Sequence, residues 1–455
     1  MSVHASGSPS EGTCAWGLLK GRGMKASRVL ASAVLAASLS WTGCEGPVEP
    51  APEPAPPGIL ESVYLRPVDR VDHQVTAEEL SSLSAGITDF GVALYRQGTA
   101  GSDTNQAFSP FALTDALAMV YAGTVRDTER ELAGVLPVSP TESGRRRFNP
   151  ALGALGQTLD GRHNPPNGLG GDDDVSWRNL LWARLGTPLE KAYLSTLQDN
   201  HFAGVYLENF RTNPRVTRSE ANTYFNAATN NRIQDVIPED GLSQDERLLL
   251  VSTLTLRASW RTPFSRAETQ EQPFHPRRGS PVLVPMMRTR GVFPFLAGDG
   301  YDAVALPATG DALRLLIILP NAGRFLAVES GLSRAFLDEV RAGLRERSMA
   351  LELPRFEVRQ GPALAEALGA LGMGRLLAPG AELSRLSADG DLWLSHVYQQ
   401  APMIVGEAGL GLWVGPPAPD AEEPTTALTV NRPFLFAVED VASGTLLSLG
   451  RYVGP

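Results

Sequence analysis

Cysteine is almost absent from this chain of 455 residues, with Cys14 and Cys44 the only two. Such a pair supplies neither a disulfide framework nor the thiolates of a structural zinc site, so a packed core must hold the fold. Basic charge is also scarce: 40 Lys and Arg stand against 50 Asp and Glu, a formal net charge of -10. A phosphate-binding surface needs concentrated cations, which excludes nucleic acid as a general partner. The one dense basic spot, Arg145, Arg146 and Arg147, reads as a solvated helix end or loop. Catalytic signatures are missing too. There is no G-x-S-x-G elbow, no H-E-x-x-H and no G-x-x-x-x-G-K-[ST], and GLGLW at Gly409 lacks the strand-turn-helix setting of a dinucleotide loop. His4, His73, His163, His201, His275 and His396 are scattered, so nothing points to a Ser-His-Asp site. Asp172, Asp173 and Asp174 read as a solvated loop, and Asp389-Gly390-Asp391 as a turn into a strand, because neither carries calcium-ligand spacing. No metal and no cofactor is expected.

What the chain does have is apolar material: 43% of its residues are hydrophobic, enough for a large core in one big domain or two or three smaller ones. From Met24 the sequence runs MKASRVLASAVLAASLSWTGC, with Lys25 and Arg28 ahead of the apolar stretch from Val29 to Leu39. That stretch is short for a bilayer span and reads as a cleavable export signal. The ending Trp-Thr-Gly-Cys resembles a bacterial lipoprotein signal, with Trp41 where an aliphatic residue is usual. The expectation is lipidation at Cys44, simple secretion being the alternative. Residues Met1 to Gly23 have no signal character, which points to Met24 as the start. The division expected is an export signal over 1–43, a Pro-rich linker over 44–75 beginning EGPVEPAPEPAPPG, and one folded domain over 76–455.

Thr76 is placed to cap a helix over Ala77 to Tyr95, with Glu79 three residues on. Ser109 and Pro110 open a second helix, ending near Gly123, that carries Leu113, Leu117 and Val120 on one face. Strands are expected over Arg247 to Trp260, Leu313 to Pro320, Trp393 to Val397 and within Leu428 to Val453, and helices over Ser333 to Arg345 and Ala363 to Leu371. Helices come mainly early and strands mainly late, the pattern of an α+β domain and not of an alternating doubly wound fold. Between Gly409 and Thr426 stand three glycines, four prolines and three acidic residues, a mix for turns and extended chain. An exposed loop of this kind, running into the apolar strand from Leu428, is a place for another protein to dock.

Several motifs, in one order, resemble those of the serpin family over about Thr76 to Pro455. Asn105 to Leu136 resembles its N-terminal signature, and NTYFNAATNNRIQDVI at Asn222 a second segment in which Asn231 replaces a glycine. SWRTPF at Ser259, PFH at Pro273 and VPMMRTRGVF at Val284 follow, then ALELPRFEV at Ala350, ALGALGMGRLL at Ala367 and NRPFLFAVEDVASGTLLSLGRYVGP at Asn431. The resemblance implies a fold of three β-sheets with about nine helices and a reactive loop between Glu407 and Pro433. It implies a monomeric protease inhibitor and no enzyme. The target would be a serine or cysteine protease that cleaves the loop, is acylated, and is dragged away as the loop enters a sheet.

By the same resemblance Glu407 starts the hinge, followed by Gly409, Leu410, Gly411, Leu412, Trp413, Val414 and Gly415, where typical inhibitors carry Gly, Thr and a run of Ala. An inserted strand puts Leu410, Leu412 and Val414 on one face, compatible with burial. Pro416, Pro417 and Pro419 lack the N–H that a central strand donates, so insertion is expected to be hampered beyond Gly415. The polar network beneath the opening sheet, two serines, an asparagine and a histidine in the family, maps to Ser109, Ala112, Ser252 and Gln399. Trp260 is kept near the insertion point, and Arg355 stands where a cation pairs with the hinge glutamate, so an ion pair between Glu407 and Arg355 is expected. Counting along the loop brackets the reactive bond at Glu422 and Glu423. Proline follows Glu423, which favours cleavage between Glu422 and Glu423 and an acid-preferring protease.

Two readings result. In one, the protein is a secreted or lipid-anchored suicide inhibitor outside the cytoplasm, at the bacterial cell envelope. In the other it is a non-inhibitory binding or structural module whose loop is cut as a plain substrate.

Overall fold

A computed structural model describes residues 61–63, 71–160, 174–359, 361, 363–412, 424 and 426–455. The export signal, Cys44, Asp172 and Asp173, the loop residues Trp413, Val414, Gly415, Pro416, Pro417 and Pro419, and the pair Glu422 and Glu423 lie outside the described residues.

In chain order the helices are α1 (Ala77–Thr99), α2 (Pro110–Tyr121), α3 (Arg126–Val135), α4 (Glu142–Asp160), α5 (Lys191–His201), α6 (Pro214–Ala228), α7 (Phe325–Gly331), α8 (Arg334–Gly343) and α9 (Leu364–Leu371). The strands are β1 (Glu61–Val63), β2 (Gln106–Phe108), β3 (Asp174–Arg184), β4 (Val205–Glu208), β5 (Leu248–Ser259), β6 (Ser265–Phe274), β7 (Val282–Ala297), β8 (Tyr301–Pro307) and β9 (Leu313–Pro320). They continue with β10 (Arg345–Pro354), β11 (Phe356–Val358), β12 (Leu394–Gln400), β13 (Met403–Val405), β14 (Gly409–Leu410), β15 (Thr426–Thr429), β16 (Phe434–Asp440) and β17 (Leu446–Tyr452).

Local chemistry sets the helix starts. The Thr76 hydroxyl accepts from the Glu79 backbone N–H at 3.2 Å while the Glu79 carboxylate accepts from the Thr76 N–H at 2.8 Å, a reciprocal cap on α1. Ser109 caps α2 through its hydroxyl, with Pro110 at the first helical position. All twelve residues of α2 are buried, so this helix has no solvent face and runs through the core. β5 is buried continuously from Leu248 to Thr255 and on to Leu256, as a strand covered on both faces must be.

Hydrogen bonding joins the strands into two sets. One runs β1-β4-β3-β5-β14-β13-β11, with β12 also on β5. The other runs β15-β10-β7-β8-β9-β16-β17-β2, with β6 also on β7. The long strand β7 explains why three expected sheets become two bonded sets: its first half pairs with β6 and its last residues with β8, so it belongs to both parts of the second set. Antiparallel pairing dominates, and the parallel contacts are β12 with β5, β3 with β4 and β15 with β10. One boundary differs from the sequence reading. Glu61–Val63, assigned there to the linker, pairs with β4, so backbone ahead of Thr76 is part of the sheet.

Candidate functional site

The first set of strands has a built-in seam. β12 pairs with β5 in parallel from Leu394 opposite Leu248 to Gln400 opposite Thr253. Beyond Ala401 and Pro402 the chain resumes as β13, which pairs with β11 and is separated from β5 by β14. Gly409 lies opposite Ser259 and Leu410 opposite Ala258, while Leu410 faces Val405 on the other side. Two residues of the Gly- and Pro-rich segment are therefore already in the sheet.

Glycine makes this entry possible. A Cβ on Gly409 would lie 1.8 Å from the Ala258 carbonyl oxygen, so no other residue fits that approach. Leu410 follows with 1% of its surface exposed. Gly411 then takes φ +63°, the left-handed region, and Leu412 bridges back to Gly409, so the chain reverses after two inserted residues. The Gly411 N–H donates to the Ile404 carbonyl at 2.9 Å and fixes the turn against β13. β5 pairs with β12 as far as Thr253 and with β14 from Ala258. On that side its residues Leu254 to Arg257 lie outside both ladders.

Trp260 and Arg355 hold the approach to the seam. The Trp260 indole N–H donates to the Gly406 carbonyl at 2.9 Å, and its backbone N–H donates to the Ala408 carbonyl at 2.9 Å. The Glu407 carbonyl accepts from the Phe264 N–H at 2.9 Å. The Glu407 side chain, 3% exposed, meets the Arg355 guanidinium in an ion pair and accepts from the Thr269 hydroxyl at 3.0 Å. Burial pushes the Glu407 carboxyl up, but the Arg355 and Thr269 hydrogen bonds outweigh it and hold the group below the usual carboxylate range. On the far side of the loop, β15 lies parallel to β10 and is tied by the Thr429 hydroxyl to Glu352 at 2.8 Å.

The lower end of the seam carries a polar latch. Gln399 reaches from β12: its carbonyl oxygen accepts from the Ser109 N–H at 2.9 Å, and its amide donates to the Ser109 carbonyl and the Ser252 hydroxyl, each at 3.2 Å. One side chain thus joins β12, β5 and the start of α2. The Ser109 hydroxyl accepts from the Ala112 N–H at 3.0 Å, so Ala112 takes part through its backbone alone.

Sequence reasoning missed the continuation of this network. Asn179, directly opposite Ser252 on β3, donates to the Ala112 carbonyl at 3.1 Å and to Asp115 at 2.8 Å. The same carboxylate receives the Trp177 indole at 3.3 Å, and its other oxygen meets His201 Nδ1 at 2.7 Å. His201 Nε2 contacts Asn149 on α4 at 3.3 Å. One signal for it was available: Asp115 is a lone carboxylate inside the apolar run PFALTDALAMVY, and an acid there needs buried partners. Arg247 bonds Asp391 at 3.0 Å, and among the described residues no cluster of three or more metal-ligating side chains occurs.

The family profile described as "Serpin (serine protease inhibitor)" matches residues 85–455. The chain belongs to the serpin family. An uncharacterized serpin-like protein of Thermococcus kodakarensis is 29% identical over 91% of this chain and 96% of its own length. Antithrombin-III of Mus musculus is 27% identical, covering 84% and 83% respectively. The crystal structure of mouse protein-Z dependent protease inhibitor superposes with a TM-score of 0.74 at 25% identity, over 84% of this chain and all of that one. The architecture above is the serpin fold, with nine helices among the described residues. Several relatives of this serpin are named as protease inhibitors, in line with the description of the family. Among the described residues no helix is long and apolar enough to cross a membrane.

Proposed function

We propose that this serpin is an extracytoplasmic inhibitor of serine or cysteine proteases, secreted or held at the cell envelope through Cys44. Its loop is cleaved at Glu422–Glu423 by an acid-preferring protease, which is trapped as the acyl-enzyme when the loop enters the seam between β5 and β13. The observation that carries this reading is the pairing of Gly409 and Leu410 between those strands: the seam accepts hinge backbone on both sides. Glu407 and Arg355 anchor the hinge, Trp260 binds its backbone, and Gln399 with Ser109, Ala112 and Ser252 forms the latch that further opening must break.

A second reading is favoured by the prolines. Continuing the register of β14 along β5 would bring Val414 opposite Leu254, Gly415 opposite Thr253 and Pro416 opposite Ser252 on insertion. Residues through Val414 would then fill the part of β5 left outside both ladders, whereas Pro416 would meet the latch without an N–H to donate. If entry stops there the protein is a serpin-fold binding or structural module and its loop a substrate.

The deciding experiment incubates the mature domain with serine and cysteine proteases of several specificities, Glu-selective ones included. A covalent complex that survives a denaturing gel is expected. Clean loop cleavage with no such band, across the panel, sinks the inhibitor reading.

A further inference from the structure

β12 is held from its second face as well as from the latch. Val397 and Gln399 point to the side of the sheet where α2 and the main core lie, and by the alternation of a strand His396, Tyr398 and Gln400 point to the other. All three reach the connection between α6 and β5, residues 229–247. Gln400 donates to the Asp235 carbonyl at 2.7 Å, the Tyr398 hydroxyl donates to the Gly241 carbonyl at 2.6 Å, and His396 Nδ1 meets the Glu246 carboxylate at 2.9 Å. Arg359, just past β11, donates to the Arg232 carbonyl at 3.0 Å. The same connection is bonded to α6. Asn222 donates to the Ile237 carbonyl at 2.9 Å and accepts from its N–H at 3.0 Å, and Arg218 donates to the Pro238 carbonyl at 2.8 Å. α6 in turn packs Tyr224 and Phe225 into one apolar cluster with Trp182 of β3 and Tyr206 of β4.

Opening the seam separates β4, β3 and β5 from β12, β13 and β11, so the connection is bonded on both sides of the moving boundary. A strand entering between β5 and β12 takes them from about 5 Å apart to about 10 Å. Side-chain bonds of 2.6 to 2.9 Å cannot follow that step while the connection stays on α6. The bonds stand beside the β5–β12 ladder, whose upper end is Gln400 opposite Thr253. Entry as far as Leu254 would leave them made, and each strand residue beyond it would have to release them from Gln400 downward. We propose that His396, Tyr398 and Gln400 form a clasp that ties β12 to the α6–β5 connection and sets how readily a strand enters the seam below Leu254. The role rests on the insertion reading above, since it belongs to the same movement.

The test compares the full chain with Tyr398→Phe and with Tyr398→Phe/Gln400→Met, which remove the bonds and keep the side-chain volumes. Hydrogen exchange of the Arg247 amide, bonded to the Ser395 hydroxyl at 2.9 Å, and of the Leu248 amide, bonded to the Trp393 carbonyl at 3.2 Å, reads parting at the foot of the seam and should accelerate in both variants. Two synthetic peptides read entry itself. GLGLWV spans the upper seam alone, whereas GLGLWVGAAAADAE, the loop sequence from Gly409 with its prolines replaced by alanine, extends beside β12. Uptake of the long peptide should rise about tenfold in the double variant, the scale of two net hydrogen bonds lost from the closed state, while uptake of the short one keeps its rate. Equal acceleration of both peptides shows a general loosening and overturns the clasp, as does unchanged exchange at Arg247 and Leu248. Faster exchange with unchanged uptake of the long peptide overturns its control of entry and leaves the insertion reading intact. Uptake of neither peptide by any of the three proteins overturns the insertion reading and the clasp's role with it.

Discussion

Leu410 is the residue on which the state of the hinge turns, and Leu410→Ala measures it. With 1% of its surface exposed, its side chain is removed from water when β14 is in the sheet and returned to water when the hinge leaves. Truncation to Ala takes away about 2 kcal/mol of that burial, and a residual cavity adds to the loss. A change of about 2 kcal/mol shifts the ratio of inserted to expelled hinge by roughly thirtyfold. The reporters are amides whose acceptors lie in or beside the hinge: Trp260, bonded to the Ala408 carbonyl, Phe264, bonded to the Glu407 carbonyl, and Gly411, bonded to the Ile404 carbonyl. Their hydrogen exchange should accelerate by about that factor, while amides of the β3–β5 ladder keep their wild-type rates. Gly409→Ala is the independent check, because its Cβ cannot coexist with the Ala258 carbonyl 1.8 Å away, and it should act at least as strongly. If hinge and ladder amides instead accelerate together, β14 is an integral strand with no state of its own, and the reasoning fails.

Other perturbations follow from the same geometry. Arg355→Ala leaves the buried Glu407 carboxylate with Thr269 as its remaining side-chain partner; because Arg355 is itself 35% exposed, the loss is put at about 2 kcal/mol, below the range for fully buried pairs, and a denaturant melt reads it. The Glu407 carboxyl is held low in the folded state, so its contribution is complete above the unfolded value and is lost as pH falls through the lower folded one. Hinge amides should therefore loosen below about pH 4 relative to intrinsic exchange, and Glu407→Gln should abolish that dependence. Gln399→Leu strands the buried Ser109 N–H and should cost about 1–3 kcal/mol of stability, with Gln399→His a milder change if the imidazole reaches the same groups. Replacing Pro416, Pro417 and Pro419 together by Ala should raise the melting temperature gained on loop cleavage, and an unchanged gain would show that the prolines are not what limits entry.

Much of the fold was legible because its chemistry is local. The cap at Thr76 and Glu79, the Ser109-Pro110 start of α2 and the apolar run Leu313 to Pro320 each carry a short-range signal, and the structure has α1, α2 and β9 there. The linker boundary was not legible, since three residues of edge strand have no periodicity to read and Glu61–Val63 owes its conformation to β4. At the site, Glu407 and Arg355 are 52 positions apart, and only the family resemblance brought them together in advance. The carboxylate of Asp115 shows the opposite failure. Its signal was local and visible, but its partners Asn179, Trp177 and His201 come from two other elements that no spacing rule connects. The reversal at Gly411 was missed because glycine permits both an extended and a left-handed backbone; contact with Ile404 selects between them.

Two departures from the family pattern, a proline-rich loop and a glutamine in the latch, meet at one place in the register. Val414 would complete the unfilled part of β5, Gly415 would compete with Gln400 for Thr253, and Pro416 would arrive opposite Ser252, the residue that Gln399 holds. Entry through Val414 therefore gains strand pairing without disturbing the β5–β12 ladder, while each further residue must displace a pair already made and, from Pro416, replaces an N–H donor with none. A latch that joins β12, β5 and α2 through one side chain suits a sheet whose lower half stays closed. On this argument the prolines and Gln399 belong to a single arrangement, in which an inserting hinge would fill the upper seam and the proposed trapping would depend on how far a protease is carried by the residues from Gly411 to Gly415.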